Sequence, residues 1–252
     1  MKIAVRGGHN FQAKGAIGLI DETTEDRKVK DAVIKYLQQL GHSVLDVTPG
    51  NMDTNSDLSY GVNKANSWGA DLFISIHFNK AYNSYNGAIG TETWVYSKTD
   101  KFNDEVYAQR IVNNISALGF KNRSVKENKE LYELKNTKMP AVIVEVCFVE
   151  ATEDVALYKK LGPDTIGKAI AEAIANKKIG KKEVYDMKKL VVYYGDADLF
   201  GAVMVAQKNR CPLMKLSDYQ ASGLKVEQVI QIGGKAEDKD RFTTFKNAAK
   251  LV

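Results

Sequence analysis

Histidine and cysteine are scarce in this sequence, with three of the first and two of the second among 252 residues. Cys147 and Cys211 lie far apart and neither belongs to a CxxC pair, which excludes a disulfide framework and a thiolate metal site. Both are expected to be free thiols, Cys147 within a core strand. Four prolines and 19 glycines are too few for collagen-like or low-complexity chains, and 44% apolar with 27% charged residues excludes disorder. Long apolar runs are missing too: stretches such as Ala141 to Val144 are strand-length, far below the roughly 20 residues that span a bilayer. The opening MKIAVRGGHN offers too short an apolar segment for a signal peptide. The expectation is a soluble chain made in the cytoplasm, with no membrane partner. Dense Lys/Arg clusters interleaved with aromatics are also lacking, which argues against nucleic acid. The net charge of +5 sits mostly in the last 65 residues, where eleven Lys and Arg face seven Asp and Glu, so attraction to some other polyanion fits.

The length accommodates one large core or two unequal domains. Lys2 to Arg6 reads as a strand. Glu22 to Leu40 reads as a helix, its apolar positions Val29, Ala32, Val33, Tyr36, Leu37 and Leu40 at helical spacing, ended by Gly41. A strand at His42 to Val47, a helix at Asp57 to Trp68 and a buried strand at Asp71 to Ile76 continue the alternation. Thr91 to Tyr96 (strand), Asn103 to Leu118 (helix), Leu131 to Leu134 and Ala141 to Val146 (strands) and Pro163 to Ala175 (helix) complete it. Such alternation predicts an α/β domain with a mostly parallel or mixed sheet flanked by helices. Residues 177–187 are Lys-rich and lack apolar periodicity, so they read as a linker. The divisions are therefore 1–176, a linker at 177–187, and 188–252. In the last, LVVYY, AVMVA, PLMKL and VEQVIQIGG are β-like runs and DRFTTFKNAAKLV a terminal helix, which predicts a small α+β domain. Its few residues make self-association into a homodimer a natural way to extend its core.

Two of the three histidines, His9 and His77, each follow a predicted core strand, and ligand sites of open α/β sheets form outside the carboxyl ends of strands. His42 follows the helix-ending Gly41 and reads as a surface residue. A catalytic zinc takes about three protein ligands and leaves a position open, and two histidines with one glutamate are a standard set. Glu22, opening the first helix after the loop that carries His9, can complete it. Asp21, Glu25 and Asp26 compete for that place, and Glu22 also suits the helix dipole. Glu145 ends the apolar run AVIV, where an ionised group is costly unless paired or functional. Beside a metal site it would move protons as a general acid-base; the plainer reading is a carboxylate satisfied by a buried Lys or Arg.

The motifs GGH at Gly7 to His9, the acid Glu22, DLFISIHFN at Asp71 to Asn79, NRSVK at Asn122 to Lys126 and PAVIVEVCF at Pro140 to Phe148 resemble the zinc-dependent N-acetylmuramoyl-L-alanine amidases of the type 3 family. The resemblance covers residues 1–176. It implies a helix-flanked, mostly parallel sheet, zinc held by His9, Glu22 and His77, and Glu145 as the catalytic acid-base. The implied substrate is peptidoglycan, cleaved at the amide joining the lactyl group of N-acetylmuramic acid to L-Ala. A zinc carboxypeptidase acting on the stem peptide and a non-catalytic wall-binding protein are the alternatives. The zinc loop departs from the family's usual DPGHGG, reading RGGHN. Without a signal peptide, the chain resembles phage endolysins that act on the wall after release. Residues 188–252 more faintly resemble clostridial cell-wall-binding modules, for which a wall polymer is the implied partner.

Overall fold

A computed structural model describes residues 1–99, 102–180 and 186–252. The stretch KIAVRG forms β1 (Lys2–Gly7), buried along all but its first residue, as befits a strand covered on both faces. Then follow α1 (Glu22–Gln39), β2 (Ser43–Asp46), α2 (Thr54–Trp68), β3 (Leu72–Asn79) and β4 (Thr91–Val95). After these come α3 (Asp104–Ser116), β5 (Asn122–Glu127), α4 (Tyr132–Asn136), β6 (Ala141–Phe148) and α5 (Thr152–Ala175). Asp21 and Asp53 cap α1 and α2, accepting from Thr24 N and from Asn55 N and Ser56 N, so orphan amides of each first turn are satisfied. Within α5, Gly162 takes φ 75°, ψ 160° ahead of Pro163. Proline disfavours helical geometry in the residue before it, and glycine reaches the required positive φ without strain.

The strands form one sheet in the order β2-β1-β3-β6-β4-β5. β1, β2, β3 and β6 are parallel, β4 runs antiparallel to β6, and β5 is parallel to β4. The expected mixed, mostly parallel, helix-flanked sheet is what forms. Side chains alternate between its faces. On one face Ile3, Val5, Ile74, Ile76, Val142 and Val144 join residues of α1, α3 and α5 in the larger core. On the other, Ala4, Phe73, Ala141 and Ile143 meet Ala65 of α2 and Leu134 of α4 in a smaller one. Arg6, Ser75, His77, Glu92 and Glu145 continue that second face by the same alternation.

Three elements of this unit differ from expectation: β5 at Asn122–Glu127 is an added strand, α5 begins at Thr152 and not at Pro163, and Leu131 to Leu134 is not a strand. Leu131 to Leu134 alternates like a strand, yet Tyr132–Asn136 is a helical turn that buries Glu133 and Leu134 together. Adjacent burial suits a helix covering a sheet face better than a two-sided strand.

Met1–Ile179 and Gly180–Val252 are two separate compact units. The linker expected at 177–187 falls partly on residues 181–185, which lie outside the described residues; before them, Lys177 N and Ile179 N bond back to Glu172. The second unit comprises β7 (Met187–Tyr193), α6 (Leu199–Asn209), β8 (Leu213–Lys215), α7 (Leu216–Ser222), β9 (Val226–Ile232) and α8 (Arg241–Ala249). Its strands are parallel, in the order β8-β7-β9, so helices and strands alternate here also. AVMVA lies in α6 instead of a strand, because Ala202, Val205 and Ala206 bury at helical spacing. The small core unites Val191, Ala202, Val205, Ala206, Ile232 and Ala248, while Phe200 and Phe245 stack in the open with centroids 5.9 Å apart.

Candidate metal and catalytic site

The loop after β1 leaves the sheet through Gly7 and Gly8, and Gly8 N donates to Ile76 O at 2.9 Å. This holds the loop against β3 so tightly that a Cβ at Gly8 would run into the His77 ring. His9 and His77 therefore meet edge to face, ring centroids 5.0 Å apart at 82°. Glu22 opens α1 directly beneath them. Its Oε1 lies 3.1 Å from His77 Nδ1 and 3.3 Å from His9 Nε2. Backbone amides fix the carboxylate, Phe78 N donating to Oε1 at 3.0 Å and Ala16 N to Oε2 at 2.6 Å. One donor atom from each of His9, Glu22 and His77 lies within 4.8 Å of the others.

The competing acids go elsewhere. Asp21 caps α1, Glu25 accepts from Tyr158 Oη at 2.7 Å and Lys28 Nζ at 2.8 Å, and Asp26 accepts from Arg27 at 2.8 Å. His42 lies outside the cluster, ahead of β2.

Electrostatics follow from this packing. Burial alone would raise the Glu22 pKa, but the two imidazoles hold it well below the usual carboxylate range. Burial opposes charge on His77, yet Glu133, Glu22 and Glu145 together raise its pKa well above the ordinary value. Two imidazoles and a carboxylate kept ionised, all aimed at one point, are the donor chemistry of a divalent transition metal. The residues present fit such a group.

A layer behind the ligands was not singled out from the sequence. His77 Nε2 lies 3.1 Å from Ser75 Oγ and 3.7 Å from Glu133 Oε2. Glu133 pairs at 3.0 Å with Arg6 Nη1, and Arg6 also pairs with Asp57. Arg6 has no exposed surface; it further donates to the carbonyls of Gly7 at 3.0 Å, Gly8 at 2.9 Å and Asp57 at 3.2 Å. Burial would raise Glu133, but Arg6 and His77 bring its pKa down to about 2. Ser75 and Glu133 hold Nε2 from behind while Nδ1 faces Glu22, the arrangement by which outer carboxylates orient metal-binding histidines. The signal was present in the sequence as a charged residue within the apolar run of β1.

Glu145 stands beside His77, its register partner on the neighbouring strand. Among the described residues its Oε2 is buried without a hydrogen-bond partner, so the plainer expectation of a Lys or Arg partner is not met at that atom. Burial, reinforced by Glu22, Glu92 and Glu133 against the opposing pull of His77, pushes its pKa up to about 8. Cys147 points into the opposite core, where burial raises its thiol pKa and makes it unreactive.

The family model described as N-acetylmuramoyl-L-alanine amidase matches residues 3–176. An uncharacterised protein of Clostridium perfringens strain 13 is 63% identical over 180 residues, covering 71% of this chain and 53% of that protein. The N-acetylmuramoyl-L-alanine amidase LytC of Bacillus subtilis is 34% identical over 160 residues, covering 63% of this chain and 31% of LytC. The chain thus spans about half or less of the length of these relatives. Among solved structures, the catalytic domain of the CD27L endolysin targeting Clostridia difficile superposes with a TM-score of 0.63 at 30% identity, covering 71% of this chain and 99% of that domain.

Proposed function

The chain belongs to the N-acetylmuramoyl-L-alanine amidase family, and from that premise we propose that it is a zinc-dependent peptidoglycan hydrolase of the endolysin kind. Its bond is the amide between the lactyl group of N-acetylmuramic acid and L-Ala of the stem peptide. The observation that carries the reading is the convergence of His9, Glu22 and His77 to within 4.8 Å, with Glu145 beside His77 on the next strand.

His9, Glu22 and His77 would hold the metal. Bound there, zinc supplies Lewis acidity, polarising the acyl oxygen and making water acidic enough to attack near neutral pH. Glu145 does the proton work: beside His77 and with no partner at Oε2 among the described residues, its ionised form can take the proton released as water adds to the acyl carbon. It returns that proton to the L-Ala nitrogen as the C–N bond breaks, leaving a lactyl carboxyl group and a free amine. Ser75 and Glu133 keep the His77 ring in the ligating orientation.

The second unit, residues 188–252, is proposed as a cell-wall-binding domain tethered to the catalytic unit 1–176, which raises the local concentration of substrate. Its excess of Lys and Arg suits an anionic wall polymer, and self-association through its exposed, stacked phenylalanines would enlarge its small core. Among the described residues, no helix is long and apolar enough to cross a membrane.

Metal analysis paired with wall hydrolysis tests the reading. One zinc per chain and new L-Ala amino termini are expected. His9→Ala and His77→Ala should lose both metal and hydrolysis. Glu145→Ala should keep metal and lose about 10²- to 10⁴-fold in rate. Release of D-Ala without new L-Ala termini would instead identify a carboxypeptidase.

A further inference from the structure

Residues three apart on a regular strand face opposite sides of a sheet, so Arg123 and Lys126 of β5 should diverge. They converge. Arg123 Nε donates to Glu92 Oε2 at 2.7 Å, and Lys126 Nζ donates to the same oxygen. The cause is a bulge: Thr91 pairs with Asn122 and Thr93 with Val125, two steps on β4 against three on β5. At the extra residue, Ser124 sits at φ 67°, a left-handed conformation that an L side chain adopts only at a cost. Bulges beside active sites re-aim side chains, and here one turns two cations toward a single carboxylate.

Glu92 is 1% exposed and fully engaged. Its Oε1 accepts from Asn79 Nδ2 at 3.0 Å and Trp94 Nε1 at 3.2 Å. One carboxylate cannot neutralise two cations, so a net positive charge remains at side chains that are 37% and 30% exposed. The Arg123 guanidinium lies over the Phe148 ring at 5.0 Å and spends only Nε on Glu92. Among the described residues no acceptor bonds to its Nη groups, which leaves the part of the fork that grips a carboxylate.

The placement selects the ligand. Glu92 is the register partner of Glu145, so His77, Glu145, Glu92 and the two cations form a row across β3, β6, β4 and β5. With strands roughly 4.8 Å apart, the cations stand about two spacings, ~10 Å, from Glu145. Resting on the amidase reading, we propose that Arg123 and Lys126, pinned by Glu92, form a subsite for a stem-peptide carboxylate. On the glycan side of the scissile bond the N-acetylated sugar carries no anion, because the lactyl carboxyl is consumed in the amide itself. On the peptide side, the residue after L-Ala is an isoglutamate whose α-carboxyl is either free or amidated. With consecutive Cα atoms 3.8 Å apart, that group lies about 6 Å beyond the scissile nitrogen, within reach of an extended guanidinium. The inferred specificity is for stem peptides with a free carboxylate at their second residue.

The test compares two muropeptides that differ only there, D-isoglutamate against D-isoglutamine, by kcat/KM on the full-length zinc-loaded chain. A charge-assisted hydrogen bond discriminates by about tenfold or more, so wild type should prefer the free acid by that factor. The preference should appear mainly in KM. Arg123→Gln, at an exposed side chain, and Lys126→Gln, at a half-buried one, should bring the acid-to-amide ratio toward one while zinc content stays at one per chain. Equal use of both substrates by wild type, or an unchanged ratio in both variants, overturns the subsite. Cleavage of neither substrate overturns the amidase reading beneath it.

Discussion

Glu133→Gln separates what the buried layer does for stability from what it does for the metal. The substitution keeps shape and removes the charge that faces both Arg6 and His77 Nε2. Breaking a buried ion pair by removing one partner costs about 3–5 kcal/mol. Arg6 keeps Asp57 and its three carbonyl acceptors, so the low end, about 3 kcal/mol, is expected. At about 2–4 °C per kcal/mol for a unit of this size, the metal-free protein should melt roughly 6–12 °C lower. Zinc affinity should fall about 10- to 100-fold, as for other outer-layer carboxylates. The double variant Arg6→Met with Glu133→Leu removes that pair but strands buried Asp57 and the three carbonyls that Arg6 also serves, so it should be no more stable than Glu133→Gln. It should not recover the metal, because His77 Nε2 then has only Ser75. Calorimetry of the metal-free chain and competition with a chelating dye measure the two effects. Normal zinc affinity in Glu133→Gln, or its recovery in the double variant, would refute the positioning role.

Burial drives Asp26 up to about 7, Arg27 opposing only in part, and the sign of its linkage follows. Below the ordinary value of 3.8 both folded and unfolded chains are protonated there and its contribution is fully present; between that pH and about 7 only the unfolded chain gives up the proton, so stability is lost as pH rises. Asp26→Asn should therefore flatten urea-unfolding stability between pH 4 and 7.5 and add up to roughly 4 kcal/mol at the upper end; an unchanged slope would show that Asp26 ionises normally. Gly8→Ala puts a Cβ into the His77 ring and should leave circular dichroism near wild type while zinc content collapses; full zinc occupancy would mean that the loop yields. An isolated second unit, residues 186–252, should pellet with purified walls at low salt and be released as salt rises if its charge supplies the affinity. Failure to pellet at low salt would remove the targeting role.

Sequence patterns were most informative where burial imposes a period. The apolar runs of β1, β3 and β6 and the helical spacing in α1 are consequences of two-sided burial, so they could be read directly. The histidine pair was legible because both residues follow such runs. Glu22 could not be separated from Asp21, Glu25 and Asp26 by spacing alone. What distinguishes it is capture by the amides of Ala16 and Phe78, one in a loop and one in a distant strand. Glu133 was hidden because Leu131 to Leu134 alternates like a strand, and only the partnership with Arg6 explains why an acid is buried there. β5 was equally hidden, since NRSVKE carries little apolar signal and a bulge at Ser124 breaks its alternation. AVMVA misled because a fully apolar run of that length fits a helix as well as a strand.

β6 is the last strand of its sheet to be synthesised, yet it lies between β3 and β4. A growing chain that has reached β5 holds two fragments of sheet, β2-β1-β3 and β4-β5, with no strand joining them. Pairings of such sequence separation form late and slowly, since the loop entropy must be spent before any contact repays it. Because β6 brings Glu145 to His77 and sets Glu92 alongside, its insertion would complete the sheet and the row of charged groups in one step. A ribosome-bound chain cut short before β6 would carry His9, His77 and Glu22 without Glu145, the carboxylate proposed to transfer the proton. Competence for catalysis would thus arise abruptly, late in translation.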